Sequence, residues 1–338
     1  MKKYNVGIIG YSWAAGAHIE AINKTEWAQV TAVCSSRKLN PSELSAKHGG
    51  QIKCYTNLQQ MLEDKTLQIV SVTSYPYEHA QQAILAARAG KHLIIEKPVA
   101  LSWEDCIKVK EAVEKAGVKT CVCFECRYSS QFITTKALID SGMLGEIHYG
   151  EIDYYHGIGP WYGQFRWNVK KDSAGSSLLS AGCHALDALL FCMGNDVEKV
   201  TSMATYSKNS DFRKYEYPTT SVTMLKFRDG SIGKVASVID CLQPYYFHVH
   251  LVGSEGSLLD NKFYSTKMGN LNKGKWSELS MKMLDSGDVS DHPYQTQFEA
   301  FFSALDKGKE MPYTSLSDAL HAHEIIFMAD RESSNKLS

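Results

Sequence analysis

The chain has 338 residues, and at roughly 100–200 residues per domain this points to two domains rather than one small module. Lysines and arginines total 36 against 37 aspartates and glutamates, a net charge of −1 that excludes an overall cationic footprint, so neither nucleic acid nor an anionic membrane is an expected partner. With 44% apolar and 22% charged residues the composition is that of a folded chain with a sizeable core, and its nine cysteines, an odd number spread over a long chain, read as reduced thiols of a cytoplasmic protein.

Lys2 and Lys3 followed by apolar residues imitate a secretory signal, but Asn5, Tyr11, Ser12, His18 and Glu20 interrupt the run and suit a strand, a glycine turn and a helix. No stretch is expected to span a membrane: the longest weakly charged run, Ser177 to Asn195, carries His184 and Asp187 at its middle. Residues 1–124 alternate short β-branched runs with helical patterns, which specifies a doubly wound parallel sheet with crossover helices. The predicted strands are Asn5 to Ile9, Val30 to Cys34, Ile69 to Thr73, His92 to Ile95 and Thr120 to Phe124. Ser102 with Asp105 three residues on resembles a capping box, and Cys106, Val109, Val113 and Ala116 form one apolar helix face ending at Gly117.

From residue 125 to 338 the rhythm changes. A helix (Phe132 to Asp140), a strand region (Ile147 to Tyr155) and a long apolar helix (about Leu178 to Cys192) are followed by successive strands. Met224 to Arg228 and Ile232 to Val238 read as a hairpin, because Asp229-Gly230 supplies the positive φ angles of a tight turn. Helices at Tyr294 to Leu305 and Ser317 to Asp330 close the chain. This half is expected to be an α+β domain with one mostly antiparallel, open sheet faced by helices.

The first strand runs into Gly10-Tyr11-Ser12-Trp13-Ala14-Ala15-Gly16 and then a helix, a turn whose backbone N–H groups and positive helix end suit a pyrophosphate. Against the pattern G-x-G-x-x-G, Gly10 fits, Ser12 stands at the second glycine and Ala15 at the third, where close helix packing is the constraint. The Ser12 hydroxyl is a candidate donor to phosphate. The second strand ends Cys34-Ser35-Ser36-Arg37-Lys38 without a carboxylate to accept the ribose diol; Ser35, Ser36 and Arg37 instead offer room and charge for a 2′-phosphate, so NADP(H) is expected over NAD(H).

The fifth strand ends Ile95-Glu96-Lys97-Pro98, preceded by Ala89-Gly90-Lys91-His92. Together with Arg127-Tyr128, Gly142-Met143-Leu144-Gly145-Glu146-Ile147, the segment Trp167 through Asp187, Gly253-Ser254-Glu255-Gly256-Ser257 and the last helix, this run resembles the Gfo/Idh/MocA oxidoreductase family over nearly the whole chain. The resemblance implies an N-terminal Rossmann domain, a C-terminal α/β domain with a large open sheet, and hydride transfer on sugars, polyols or related compounds. It also places Thr73, Tyr75, Pro76, His79, Glu96 and Lys97 beside the cofactor.

The chemistry stands beside the resemblance. Oxidising a secondary alcohol needs a hydride acceptor and a base, and the reverse reaction needs an acid at the same place. Lys97, just past a buried parallel strand, is a candidate to stabilise a developing alkoxide or to donate a proton. His184, in Ser180-Ala181-Gly182-Cys183-His184, is the candidate general base, although a histidine on an apolar helix also reads as a core residue. The family pattern is Asp-x-Gly-x-His, with a carboxylate four residues before the histidine. Here Ser180 stands at that position, leaving either a different substrate geometry or compensation by another carboxylate such as Asp187. Arg127, Tyr128, His156, Tyr162, Trp167 and Ser180 are the further substrate-contact candidates; Tyr, Trp and Arg suit sugar stacking and hydroxyl hydrogen bonds, and equally suit packing.

Cys121, Cys123 and Cys126 invite a metal reading, but strand alternation and the lack of a second pair at finger spacing make them core thiols; His248 and His250 share a strand face, and no metal is expected. The expectation is thus an NADP(H)-preferring dehydrogenase or reductase acting on a carbohydrate-like substrate. Two alternatives stand beside it: an enzyme that uses bound dinucleotide transiently to eliminate from or isomerise a sugar, and a sensing protein without turnover. A homo-oligomer, dimer or tetramer, is expected from the open sheet.

Overall fold

A computed structural model of the protein describes residues 3–157, 166–269, 272, 274–288 and 291–337. The chain forms two compact units, Met1–Glu125 with His292–Leu320, and Cys126–Asp291 with His321–Ser338. A single cut at residue 124 therefore misses one thing, the return of 292–320 to the first unit.

In the first unit β1 (Tyr4–Ile9), β2 (Ala28–Cys34), β3 (Lys53–Tyr55), β4 (Ile69–Val72), β5 (His92–Ile95) and β6 (Thr120–Val122) form a parallel sheet in the order β3-β2-β1-β4-β5-β6. The direction of strand succession reverses between β1 and β4, the place where open α/β sheets hold ligands. β4 is buried at every position, as expected of a strand covered on both faces. The edge strand β3, three residues long, is too short to show a period. The helix Trp103–Ala116 starts as predicted: Ser102 Oγ accepts from the Asp105 N–H and donates to its carboxylate, and Gly117 ends the helix at φ +63°.

The returning segment supplies the helix Tyr294–Asp306, which buries Phe298, Phe301 and Phe302. It is tied to the sheet by Gln297 Nε2, which donates to the Val122 carbonyl at 2.8 Å, and by the Val122 N–H, which donates to the Thr314 carbonyl at 2.8 Å.

The second unit is built on an eight-stranded sheet in the order β14-β13-β12-β11-β7-β10-β9-β8. In chain order the strands are β7 (Ile147–Tyr155), β8 (Val197–Thr205), β9 (Thr220–Phe227), β10 (Ile232–Val238), β11 (Tyr246–Gly253), β12 (Gly256–Leu259), β13 (Lys262–Ser265) and β14 (Ser277–Glu278). Only β7 and β10 pair in parallel. The β9–β10 hairpin forms, with a different turn from the one expected. Only Gly230 has a positive φ, +91°; Asp229 instead folds the loop by accepting from the Ser231 N–H and hydroxyl, so the turn is a wider one closed by a single left-handed glycine.

One face of this sheet is covered by the helix Cys183–Met193. Its Leu189 and Met193 fit over Gly150 and Gly233, which are in register on β7 and β10; a Cβ at Gly150 would lie 2.3 Å from Met193 Sδ, and one at Gly233 2.7 Å from Leu189 Cδ2. The run Lys171–Met193 is long and apolar enough to cross a membrane by length and composition, and 78% of its most apolar window is buried within the protein. It serves as a core helix.

Candidate active site

The first unit gathers the predicted cofactor residues at the carboxyl ends of its strands. After β1 the chain turns at Gly10, where φ is +86° and a Cβ would lie 2.6 Å from the Ser74 backbone, so only glycine fits. The helix Trp13–Lys24 begins at once, with Trp13 exposed, Ala14 half-buried and Ala15 fully buried at the close-packed third position of the loop. No side chain caps this helix, which leaves its first-turn N–H groups and positive end for an anion. Ser12 occupies the cap position, but its hydroxyl donates to the Thr73 carbonyl at 2.9 Å.

At the end of β2, Ser35 is buried and its Oγ accepts from the Arg37 N–H, Ser36 is exposed, and Arg37 reaches back to donate to the Tyr11 carbonyl at 3.0 Å. Two residues missed in the sequence join it. His48 Nε2 lies 2.8 Å from the Tyr11 hydroxyl and Lys47 Nζ 3.4 Å from it, so three basic side chains surround the loop after β1. Burial, helped by the neighbouring Lys47 charge, lowers the pKa of His48. The signal available in the sequence was the Lys-His pair in the last turn before Gly49-Gly50.

Thr73 and His79, expected beside the cofactor, are bonded to the loops at the strand ends. Both are about 1% exposed. The Thr73 hydroxyl is placed to donate to the Ile9 and Gly10 carbonyls, and the two ring nitrogens of His79 lie 2.7 Å from the Pro98 carbonyl and 3.1 Å from that of Ser74. Burial lowers the His79 pKa against the pull of these acceptors. The two side chains tie the loops at the strand ends to one another.

Glu96 is likewise enclosed. One carboxylate oxygen accepts from the Tyr294 hydroxyl at 2.7 Å and pairs with His18 Nε2 at 2.8 Å; the other accepts from the Lys97 N–H at 3.0 Å; and His18 Nδ1 meets Ser71 Oγ at 2.8 Å. Burial alone would raise this carboxyl, but His18, the Lys97 charge and Tyr294 outweigh it and hold the pKa at about 2. Glu96 is thus a buried anion that anchors the end of β5, and Lys97 follows it half-buried. Nearby, His292 pairs with Glu125 at 2.7 Å; burial lowers its pKa, but the ion pair prevails and leaves it raised.

In the second unit His184 sits at the second position of the helix Cys183–Met193, directly after a π-helical turn, Leu178–Gly182, a distortion frequent at functional sites. His184 is 3% exposed. Its Nδ1 lies 3.7 Å from Cys126 Sγ, and its ring stacks on Tyr154 with centroids 6.5 Å apart. The Tyr154 hydroxyl in turn lies 2.9 Å from His156 Nδ1, and Tyr245 meets both rings edge-on. His184 and His156 are therefore brought into one aromatic cluster.

Arg127 and Asp187 are taken out of it. The guanidinium grips the Asp187 carboxylate through two bonds of 2.7 and 2.6 Å, with the two side chains 7% and 1% exposed, and stacks on Phe191. Asp187 is matched to arginine rather than standing in for the missing carboxylate, and Arg127 has a structural partner where a substrate contact was expected. The Ser180 hydroxyl donates to the Ser176 carbonyl one turn back. Ser176 Oγ donates to Asp330, a carboxyl that burial pushes up to about 6 and that sequence reasoning did not single out. Tyr128 is buried, Trp167 is half-buried in a turn, and Tyr162 lies outside the described residues. Cys121 and Cys123 are core thiols whose pKa burial raises.

A parallel sheet with an uncapped helix start at its switch point, and a lysine at the end of the next strand but one, has the form of a dinucleotide-dependent redox enzyme. The family model described as "Oxidoreductase family, NAD-binding Rossmann fold" matches residues 4–124, and the GFO/IDH/MocA C-terminal domain matches residues 132–259. The chain belongs to the GFO/IDH/MocA oxidoreductase family. As a member it is an NAD(P)-dependent oxidoreductase with a Rossmann domain. It is 24% identical over 261 residues to the myo-inositol 2-dehydrogenase of Thermotoga maritima, covering 77% of this chain and 76% of that one. It is 25% identical to the scyllo-inositol 2-dehydrogenase (NADP(+)) of Bacillus subtilis, covering 63% of this chain and 58% of that one. Among solved structures, a probable dehydrogenase from Thermotoga maritima shares the fold with a TM-score of 0.82 at 22% identity, covering 98% of this chain and 97% of that one.

Proposed function

We propose that this oxidoreductase moves a hydride between NADP(H) and a secondary alcohol or ketone of a polyol or sugar, with Lys97 and His184 as the side chains that handle the proton and the reacting oxygen. The reading is carried by Lys97, held at the carboxyl end of β5 by an ionised, fully bonded Glu96. The residues present suit the cofactor: the uncapped turn from Gly10 to Ala15 supplies N–H donors for the pyrophosphate, and Arg37, Lys47 and His48 gather where a 2′-phosphate would be held, with no carboxylate at the end of β2. When bound, the nicotinamide accepts or gives the hydride. Lys97 hydrogen-bonds the reacting oxygen and stabilises negative charge on it, while the imidazole of His184 takes the hydroxyl proton in oxidation and returns it in reduction. The inositol dehydrogenases among the relatives support a polyol substrate, and the NADP(+)-dependent one supports the cofactor choice.

Nine unbridged cysteines suit a reducing, cytoplasmic setting. Met203, Val222, Met224 and Ile232 lie exposed on the uncovered side of the eight-stranded sheet, where a second copy of the chain would bury them in a homo-oligomer.

The test is absorbance at the reduced-nicotinamide band with inositols, sugars and keto-sugars. Lys97→Met and His184→Ala are expected to lose roughly 100- to 10,000-fold in kcat while still binding NADPH, and Arg37→Ala to weaken NADPH about tenfold with NADH unchanged. Undiminished rates in the first two variants reject the assignment. Product formed with no net change in cofactor would point instead to transient oxidation.

A further inference from the structure

The uncovered side of the eight-stranded sheet carries a second group of chemically able side chains, none used in the proposed hydride transfer. Side chains alternate across a strand: Gly150 and Ile152 of β7 and Phe247, Val249 and Leu251 of β11 point into the helix-covered core. Tyr149, Glu151, Asp153 and Tyr155, and Tyr246, His248 and His250, then share the other face. The register sets His250 directly opposite Glu151 and His248 directly opposite Asp153. One ligand atom from each of Glu151, His248 and His250 lies within 4.8 Å of the other two.

We propose that Glu151, His248 and His250 form a binding site for a divalent transition-metal cation of the zinc class. Two imidazoles and one carboxylate are a donor set that zinc takes readily, with a fourth position left for water. In a tetrahedral site with bonds of about 2.0–2.1 Å the donors stand about 3.4 Å apart, so closing the group takes side-chain rotation of an ångström or so and no change of backbone register.

The surroundings are those of a metal site. Asp260 lies 3.3 Å from His248 Nδ1 and accepts from the Tyr246 hydroxyl at 2.6 Å. A carboxylate on one ring nitrogen directs the other toward a metal and makes it a better donor. Tyr149 donates to the second oxygen of Glu151 at 2.9 Å, and the Tyr149 ring packs edge-on against His250 at 6.2 Å. Charge points the same way. Glu151, Asp153 and Asp260 are three carboxylates facing the single ammonium of Lys234, which bridges Glu151 and Asp153 at 2.7 Å each. A divalent cation adds positive charge to this carboxylate-rich group while Lys234 remains on Asp153. In the single chain, side-chain exposure is 23% for Glu151 and 16% for His248.

The buried trio His18, Glu96 and Cys123 has similar spacing, but its histidine and carboxylate already bond each other, and burial raises the Cys123 pKa so that it stays a thiol.

The site is tested by stripping the purified protein with EDTA and titrating Zn2+ against a chromophoric chelator, with Co2+ as a spectroscopic probe. One equivalent per chain is expected, with a cobalt spectrum free of thiolate charge-transfer bands. His248→Gln and His250→Gln are expected to weaken binding at least about 100-fold, Asp260→Asn about 10- to 100-fold, and Lys234→Met to tighten it by removing a competing cation. Hydride transfer is expected to be unchanged in all four. Because a variant at a sheet position can fail to fold, Zn2+ protection of His248 and His250 from diethylpyrocarbonate in the unaltered protein provides a second readout. No binding by the unaltered protein at about 100 μM Zn2+, a thiolate band, undiminished binding in the His248→Gln/His250→Gln double variant, or weaker binding in Lys234→Met would each overturn the proposal.

Discussion

Each unit buries a carboxylate close in sequence to the residue proposed to handle protons, and the two are held differently. Glu96, next to Lys97, is held by a hydroxyl, an imidazole and a backbone N–H drawn from three segments of the first unit. Asp187, three residues after His184, is held by one guanidinium in a two-bond fork. The first arrangement spreads the stabilisation of a negative charge over several partners; the second concentrates it in one. Neither carboxylate is left to accept the substrate's proton, so in each unit this acid, close in sequence to the proposed catalytic group, builds the scaffold instead.

The sharpest way to break this contrast is to remove one partner of the fork. Asp187→Asn or Arg127→Met is expected to cost about 3–5 kcal/mol in urea unfolding, because an unpaired charge is left buried, while replacing both with apolar residues of similar volume recovers most of the loss. Single variants within about 1 kcal/mol of the parent would show that the fork is not a concentrated interaction.

For Glu96 the lever is pH. Its carboxyl is held at about 2 against an ordinary 4.5, so between those values the unfolded chain binds the proton that the folded chain refuses. The resulting stabilisation, roughly 3 kcal/mol, is complete above about pH 4.5 and is lost as pH falls toward 2. Glu96→Gln should flatten that part of the stability curve; parallel curves for variant and parent would refute the low pKa.

Backbone substitutions give a smaller contrast between the same two units. Gly10→Ala meets both a left-handed φ and a rigid backbone neighbour and is expected to cost about 2 kcal/mol or more, read as a lowered Tm. Gly150→Ala meets only side-chain ends, those of Met193, Leu189 and Leu251, and is expected to cost about 1–2 kcal/mol as these rotate away. Equal costs would mean that helix and sheet in the second unit are packed more rigidly than side-chain contact implies. Of similar or smaller size is Ser102→Ala, which removes a cap bond of 3.1 Å to the Asp105 N–H and should lower stability by about 1 kcal/mol.

Much of the first unit was legible because its signals are local. Continuous β-branched runs, a serine cap with its acid three residues on, and a glycine after the first strand each act over a few residues, and β1, β4, β5 and the helix Trp103–Ala116 lie where those signals put them. The turn at Asp229-Gly230 was read less well: the dipeptide fits more than one hairpin loop, and the Asp229 side chain chose between them. In the candidate site, Lys97 lies at the strand end where the sequence puts it; the sequence pattern places His184 inside one helix from about Leu178, and the π-helical turn that makes it a helix start was not legible. The hydrogen bonds that Ser12, Thr73, His79, Glu96 and Arg127 make were not legible there, since each depends on where a carbonyl or an opposite charge from another segment arrives.

The sequence alone determined the order and type of the elements, the glycine at the mouth of the parallel sheet and the basic end of β2, because side-chain periods of 2 and 3.6 and the conformational needs of single residues do not depend on distant partners. Only the tertiary structure decided that Arg127 meets Asp187, 60 residues away, that Tyr294 meets Glu96 across 198 residues, and that two histidines of β11 face a glutamate of β7. Such pairings are set by strand register and by which segments pack together, and a one-residue slip in register turns every such side chain to the opposite face.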